Sequence, residues 1–265
     1  MTFIHDLPAW LVGVATVASF VGVSVLGLAA SRGLSRRRGL HALVDNGVIG
    51  WIYSAILGIY AIAIGLMAVA TWGNASAAAG LASHEAAEIA SLYRDMSGYP
   101  EPPRQTLQST LARYTRYVID QAWPLQRRGE VPAGGTAILN ELQRTLYAFE
   151  PASAGQTAIH EETLRAYNAL IEIRRQRLEA VTYAVPSTLW SVIMLGAAIA
   201  IVGSVVFNIE SFWVHATMTG LLAAMIGLLV FFMLVTDRPY LGATGIGPDS
   251  YELVYRHLME APPGG

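Results

Sequence analysis

His84 and Glu88 stand four residues apart, which puts both side chains on one face of a helix, and His160 is followed directly by Glu161 and Glu162. Imidazole beside carboxylate is a donor set that suits divalent transition metals. Metal bundles of the two-carboxylate kind, however, repeat a Glu-x-x-His spacing on two helices, and neither cluster has it. Solvated helix faces account for these residues more simply, so no metal and no other cofactor is expected. The chain has no glycine-rich phosphate loop, no G-x-S-x-G elbow and no H-E-x-x-H. It also has no cysteine, which removes thiolate ligands and cysteine nucleophiles together. The reading is that of a protein that is not an enzyme.

What remains is hydroxyls and small residues in strongly apolar surroundings. Tyr53 and Tyr60 are seven residues apart and share a helical face, with Gly58 and Gly65 close by. Small residues let helices approach closely, so one reading is packing. The other is an oligomer in which this face lines a narrow passage closed by apolar side chains. Asp237 and Arg238 fall where the last apolar run ends and read as a membrane-edge pair, either an anchor or gate or a structural pair that satisfies itself and the helix end. Pro186 sits where an amphipathic helix meets an apolar one. It predicts a kink or a fresh helix start, and a hinge if motion passes through it.

The elements that carry these residues follow from composition. Of 265 residues, 54% are hydrophobic and 14% charged, where a soluble domain carries roughly 25% charge. The net charge of -2 leaves no positive surplus for a nucleic-acid partner. Four uncharged runs are long enough to cross a hydrocarbon core, which takes about 20 helical residues. The predicted spans are residues 7–31, 49–72, 186–208 and 212–235. Trp10, Trp51, Trp72, Trp190 and Trp213 fall near span ends, as an interfacial aromatic belt requires. No span core contains an ionisable side chain, and His215 lies near an end, so a buried proton relay is disfavoured.

The first span has Asp6 before it and Arg32, Arg36, Arg37 and Arg38 after it, the reverse of a signal peptide's charge order. It reads as a retained helix. Arginine excess in a short loop places residues 32–46 in the cytoplasm. Both termini and the segment 73–184 then lie outside. Within that segment the 11 Arg and 12 acids between Ala82 and Val181 balance and give no independent orientation.

Residues 73–184 read as helices throughout. Span two continues as one helix to Met96, with Leu81, Ile89, Leu92 and Tyr93 on one side, until Gly98 and Pro100 stop it. The next helix carries Leu107, Leu111, Tyr114 and Val118 and ends at Trp123-Pro124. A third runs Thr136 to Phe149 on a stripe of Leu139, Leu142 and Leu146. The fourth runs from Gln156 to Ala184 with Ile159, Tyr167, Leu170 and Leu178 inward and Glu161 set to pair with Arg165. In the tail, residues 236–265, Asp249 and Glu252 resemble a capping box that opens a short helix with Val254 and Leu258 inward. Pro262 to Gly265 read as disordered.

Several segments, in order along most of the chain, resemble the bacterial bestrophin-like family. They are Ala55-Ile56-Leu57-Gly58-Ile59-Tyr60-Ala61 leading into Trp72, Ser91-Leu92-Tyr93-Arg94, and Arg174-Arg175-Gln176-Arg177-Leu178. Val185-Pro186-Ser187-Thr188-Leu189-Trp190 and Thr236-Asp237-Arg238-Pro239-Tyr240-Leu241-Gly242 complete the set, with Tyr240 in place of the family's Phe. The resemblance implies kinship with bestrophins, pentameric anion channels with four spans per subunit. Bestrophins keep their termini and the region between spans two and three in the cytoplasm, opposite to the orientation that the arginine loop implies here. Their calcium-binding acidic cluster and aromatic neck are not found.

The expected fold is an all-α integral membrane protein with four transmembrane helices and a helical soluble bundle between spans two and three. The expected function is a homo-oligomeric, pentameric passive ion channel in the bacterial cell membrane, with chloride the ion implied by kinship. The competing reading is a non-conducting sensor or scaffold whose bundle binds a partner.

Overall fold

The computed structural model describes residues 7–38, 46–242 and 245–260, with backbone alone for 34–38. Among these residues every regular element is a helix, and there is no strand. The side chains of Arg36 to Arg38, with Asp6, residues 39–45 and Pro262 to Gly265, lie outside the described residues. So does most of the expected basic loop.

The helices are α1 (Ala9–Arg38), α2 (Asn46–Asp95), α3 (Pro103–Tyr117), α4 (Trp123–Gln126), α5 (Gly134–Tyr147), α6 (Ala154–Thr182), α7 (Ser187–Val206), α8 (Phe212–Thr236) and α9 (Asp249–Val254). Four helical stretches are long and apolar enough to cross a membrane: Ala9–Gly33, Asn46–Gly98, Ser187–Val206 and Phe212–Thr236. The protein is a multi-pass membrane protein. It divides into two compact units, one from the chain up to residue 74 with residues 184–237, the other from residues 75–183 with 238–265.

In the first unit, α1 and α8 pack antiparallel. Phe231 covers Gly13, Phe20 and the backbone of Val17 lie against Gly227, and Val21 approaches Gly220. A small apolar core joins Ile64 and Ala68 of α2 to Ile193, Ala197 and Ala200 of α7 and to Ile226, Val230 and Met233 of α8. One end of the unit is tied by polar groups. Arg32 donates to the carbonyls of Ile209, Glu210 and Ser211 and approaches His215 Nδ1 at 3.2 Å. Asn46 and Asn208 exchange two hydrogen bonds, at 2.8 and 2.9 Å. The turn joining α7 and α8 is thus held from α1 and from the start of α2, and its carbonyls find donors without water.

The second unit is a helical bundle. Ala78, Ala82, Ile89, Leu92 and Met96 of α2 face Leu107, Leu111 and Tyr114 of α3, Leu139, Leu142 and Leu146 of α5, and Tyr167 and Leu170 of α6. Tyr240 and Tyr251 from the tail are also fully buried in this core. The tail is part of the bundle: Tyr240 Oη donates to the Ala78 carbonyl at 2.9 Å, and Gly242 N–H to the Arg127 carbonyl at 3.1 Å.

Several local expectations are corrected. Trp123-Pro124 does not end the helical run that carries Leu107 and Leu111: a π turn over Val118–Ala122 leads straight into α4. Pro124 is tolerated in a first helical turn, where an N–H would have no intrahelical partner, and the wider turn before it absorbs the mismatch. Asp249 does not cap α9. Pro248 holds that position and Asp249 is the first helical residue. The reciprocal cap occurs instead at α6, where Ser153 Oγ accepts from Gln156 N–H and Gln156 Oε1 accepts from Ala152 N–H. Arg165 pairs with Glu162, not Glu161. On α6 it is Arg177 that is fully buried, while the neighbouring Leu178 is only partly so.

Candidate functional site

The tyrosines of the second span turn toward α7. Tyr53 Oη donates to the Ala200 carbonyl at 2.6 Å and Tyr60 Oη to the Ile193 carbonyl at 3.3 Å. Their rings occupy the space that a side chain at Gly203 or Gly196 would need. The glycines are seven apart, as the tyrosines are, so two rungs of equal spacing join the helices. A β-carbon at either glycine would overlap a ring, which is why these positions are glycine. Within this subunit the tyrosine hydroxyls donate to main-chain carbonyls of α7 and their rings pack on its glycines.

Gly58 and Gly65 lie elsewhere on the same helix, with no atom within 4 Å of the place a β-carbon would take. Around them α2 exposes Trp51, Ile52, Ile59, Ile62, Leu66 and Val69. Only 6% of its most apolar window is buried within the chain, against 33% for α8. Among the described residues, therefore, nothing in a single subunit covers the side of α2 opposite the tyrosines.

Asp237 and Arg238 do not pair with each other. Asp237 Oδ1 accepts from Val185 N–H at 2.6 Å, and Oδ2 lies 3.4 Å from the Trp190 indole nitrogen. Arg238 is exposed and makes no ion pair among the described residues. The aspartate closes the stretch that Pro186 opens: α6 stops at Thr182, residues 183 and 186 are extended, and α7 begins at Ser187 with Pro186 as its cap. Pro186 gives a break with a new helix start, not a kink in a continuous helix.

A further polar cluster lies inside the bundle. Glu85 is fully buried and paired with Arg177, itself buried. Tyr114 Oη donates to Glu85 Oε1 at 2.7 Å, and Arg177 Nη1 donates to Gln126 Oε1 at 2.8 Å. The guanidinium carbon stands 5.2 Å from the Trp123 ring centre and 5.7 Å from that of Tyr251. Burial disfavours the Arg177 charge, yet the Glu85 carboxylate beside it leaves its pKa raised. Burial, with the Glu85 charge second, pushes Tyr114 and Tyr251 well above the ordinary tyrosine range. Burial likewise pushes Tyr240 up to about 12. One signal could have found this cluster: Glu85 falls on the same three-and-four spacing as Ala78, Ala82, Ile89, Leu92 and Met96. An acid on an apolar stripe needs a buried cation.

His84 and Glu88 approach at 3.4 Å on an exposed helix face. His160 Nδ1 lies 2.7 Å from Tyr99 Oη, beside the Phe149 ring. The two histidines thus have separate partners.

A family model described as a bestrophin-like domain matches residues 18–251. The match takes in all four spans in part or whole, the bundle and the Asp237 segment. No curated protein and no solved structure matches the chain.

Proposed function

Because the chain belongs to the bestrophin-like family, we propose that it assembles as a homo-oligomeric passive ion channel in which the bare faces of α2 meet around a central passage. The observation that supports this reading is the near-complete exposure of the apolar window of α2, with Gly58 and Gly65 uncovered. A single subunit of four helices encloses no wet path, so a pore belongs on a symmetry axis between copies. Ile59, Ile62 and Leu66 would form its apolar constriction, which gates by excluding water. Anion selectivity, with chloride as the first ion, follows from kinship with bestrophins. The arginine-rich loop supports a cytoplasmic position for residues 32–46.

Purified protein in chloride-loaded liposomes tests the proposal. The expected result is passive chloride flux from a stable oligomer. A monomer in mild detergent, or no flux at any voltage, calcium level or pH, overturns it and leaves the non-conducting scaffold as the reading.

A further inference from the structure

The end of span four marks one edge of the membrane. The rings of Trp72 and Phe232 stack there at 6.2 Å, and the Trp190 indole nitrogen lies 3.4 Å from Asp237 Oδ2. Aromatic side chains of this kind collect at headgroup level. Arg238 is the next residue along the chain and is exposed. A little further on, Gly242 N–H donates to the Arg127 carbonyl at 3.1 Å, and Leu241 lies against Gly129. From Arg238 to Gly242 an extended chain reaches at most about 14 Å. This one turns back on itself, with Leu241 N–H donating to the Arg238 carbonyl at 3.1 Å, so Arg127 and Arg128 are held close to the start of the tail.

Most arginines of this bundle have partners. Arg104, Arg113, Arg175 and Arg256 are among those that pair with a surface carboxylate, and Arg144 and Arg174 donate to the Asn140 carbonyl and the Thr136 hydroxyl. Arg127, Arg128 and Arg238 differ: all three are exposed, and their side chains make no ion pair and no hydrogen bond among the described residues. Arg94 shares that state, but it stands about 33 Å beyond Trp72 along α2. Glu130, exposed in the same loop as Arg127 and Arg128, leaves the group a positive surplus.

A guanidinium offers donors only, in a planar fork that fits the oxygens of a phosphate. Beside a membrane span, the phosphates at hand are those of lipid headgroups, a polar layer about 5–8 Å deep on each side of the hydrocarbon. Arginine reaches such a layer by laying its apolar stem along the surface and extending its charged head. The positive surplus favours a headgroup that carries no ammonium of its own. We propose that Arg127, Arg128 and Arg238 form a binding site for the phosphate of an anionic phospholipid. The proposal is independent of whether the protein conducts ions.

The test is native mass spectrometry of the full-length protein in detergent, titrated with phosphatidylglycerol or with phosphatidylcholine. Preferential binding of phosphatidylglycerol is expected. One arginine at an anionic lipid surface contributes about fivefold in affinity, so the triple variant Arg127→Gln, Arg128→Gln, Arg238→Gln should bind about a hundredfold more weakly at this site. The corresponding three lysine substitutions should keep the preference, which separates lost charge from a disturbed fold. Arg94→Gln, equally exposed and unpaired, should bind as the parent does. The arginines that follow span one are present in every protein compared, so the difference between variants reads this site alone. Equal binding of the two lipids, a glutamine triple variant that binds like the parent, or an equal loss in Arg94→Gln overturns the proposal. Displacement of phosphatidylglycerol by excess inorganic phosphate also overturns it, since the site would then serve a free anion.

Discussion

Gly196 leaves the space that the ring of Tyr60 fills, and the Tyr60 hydroxyl reaches the Ile193 carbonyl at 3.3 Å. Tyr53 repeats the arrangement with Gly203 and Ala200. The α2–α7 contact is therefore made by large side chains entering glycine gaps, and it fixes which side of α2 remains bare.

Adding one methyl at these gaps should be more harmful than removing a hydroxyl. Gly196→Ala or Gly203→Ala forces the ring off its rotamer, which costs about 1–3 kcal/mol. Tyr60→Phe loses only one long hydrogen bond, about 0.5–1.5 kcal/mol. Thermal denaturation in detergent should show both alanine variants melting below Tyr60→Phe; the reverse order would remove the packing role.

The buried pair of Glu85 and Arg177 should behave as a unit. Either Glu85→Gln or Arg177→Met leaves an uncompensated or orphaned partner and should destabilise the bundle by roughly 3–5 kcal/mol. The double variant should recover part of that loss. Chemical denaturation of the four proteins of this cycle measures the coupling, and strictly additive losses would contradict it.

Alkaline pH should weaken the bundle. Tyr114, Tyr240 and Tyr251 are held neutral by burial, with folded values above the ordinary value of 10.0. A raised acid of this kind contributes stability that is complete below the unfolded value and is lost as pH climbs through the folded one. For Tyr240 that window runs from 10.0 to about 12. Ultraviolet titration should show these tyrosines ionising after the exposed ones, together with loss of helical signal. Simultaneous ionisation of all tyrosines in a still folded protein would contradict this.

Asp237 and Arg238 should separate sharply. Asp237→Ala leaves the Val185 N–H and the Trp190 indole without their acceptor and should cost about 1–3 kcal/mol. Arg238→Ala, an exposed side chain without an ion pair, should stay within about 0.5 kcal/mol. Equal melting shifts for the two would restore the pair expected from their adjacency.

The constriction proposed for α2 gives a functional contrast. Ile62→Asn, on the bare face, should raise chloride flux in liposomes by favouring water in the passage. Tyr60→Phe should leave flux unchanged, because its ring and packing persist. Greater flux from the tyrosine variant than from the isoleucine variant would place the passage on the other side of the helix.

By itself the sequence determined the four spans and the helical character of the segment between them. Hydropathy over ~20 residues decides what a bilayer accepts, and that is a local property. Apolar stripes on α3, α5 and α6 were legible for the same reason: periodicity records which side meets a core. The partners were not legible. The sequence put Tyr53 and Tyr60 on one face but could not show that Gly203 and Gly196 of α7 stand opposite them. Asp237 read as the partner of its neighbour Arg238, yet its carboxylate binds Val185 and Trp190, some 50 residues away along the chain. Nothing in the sequence pairs Glu85 with Arg177, 92 residues away. Only tertiary structure decides such pairings, because a polar group's environment is set by whichever distant segment is packed against it, and a buried charge persists only where that segment supplies its counter-charge.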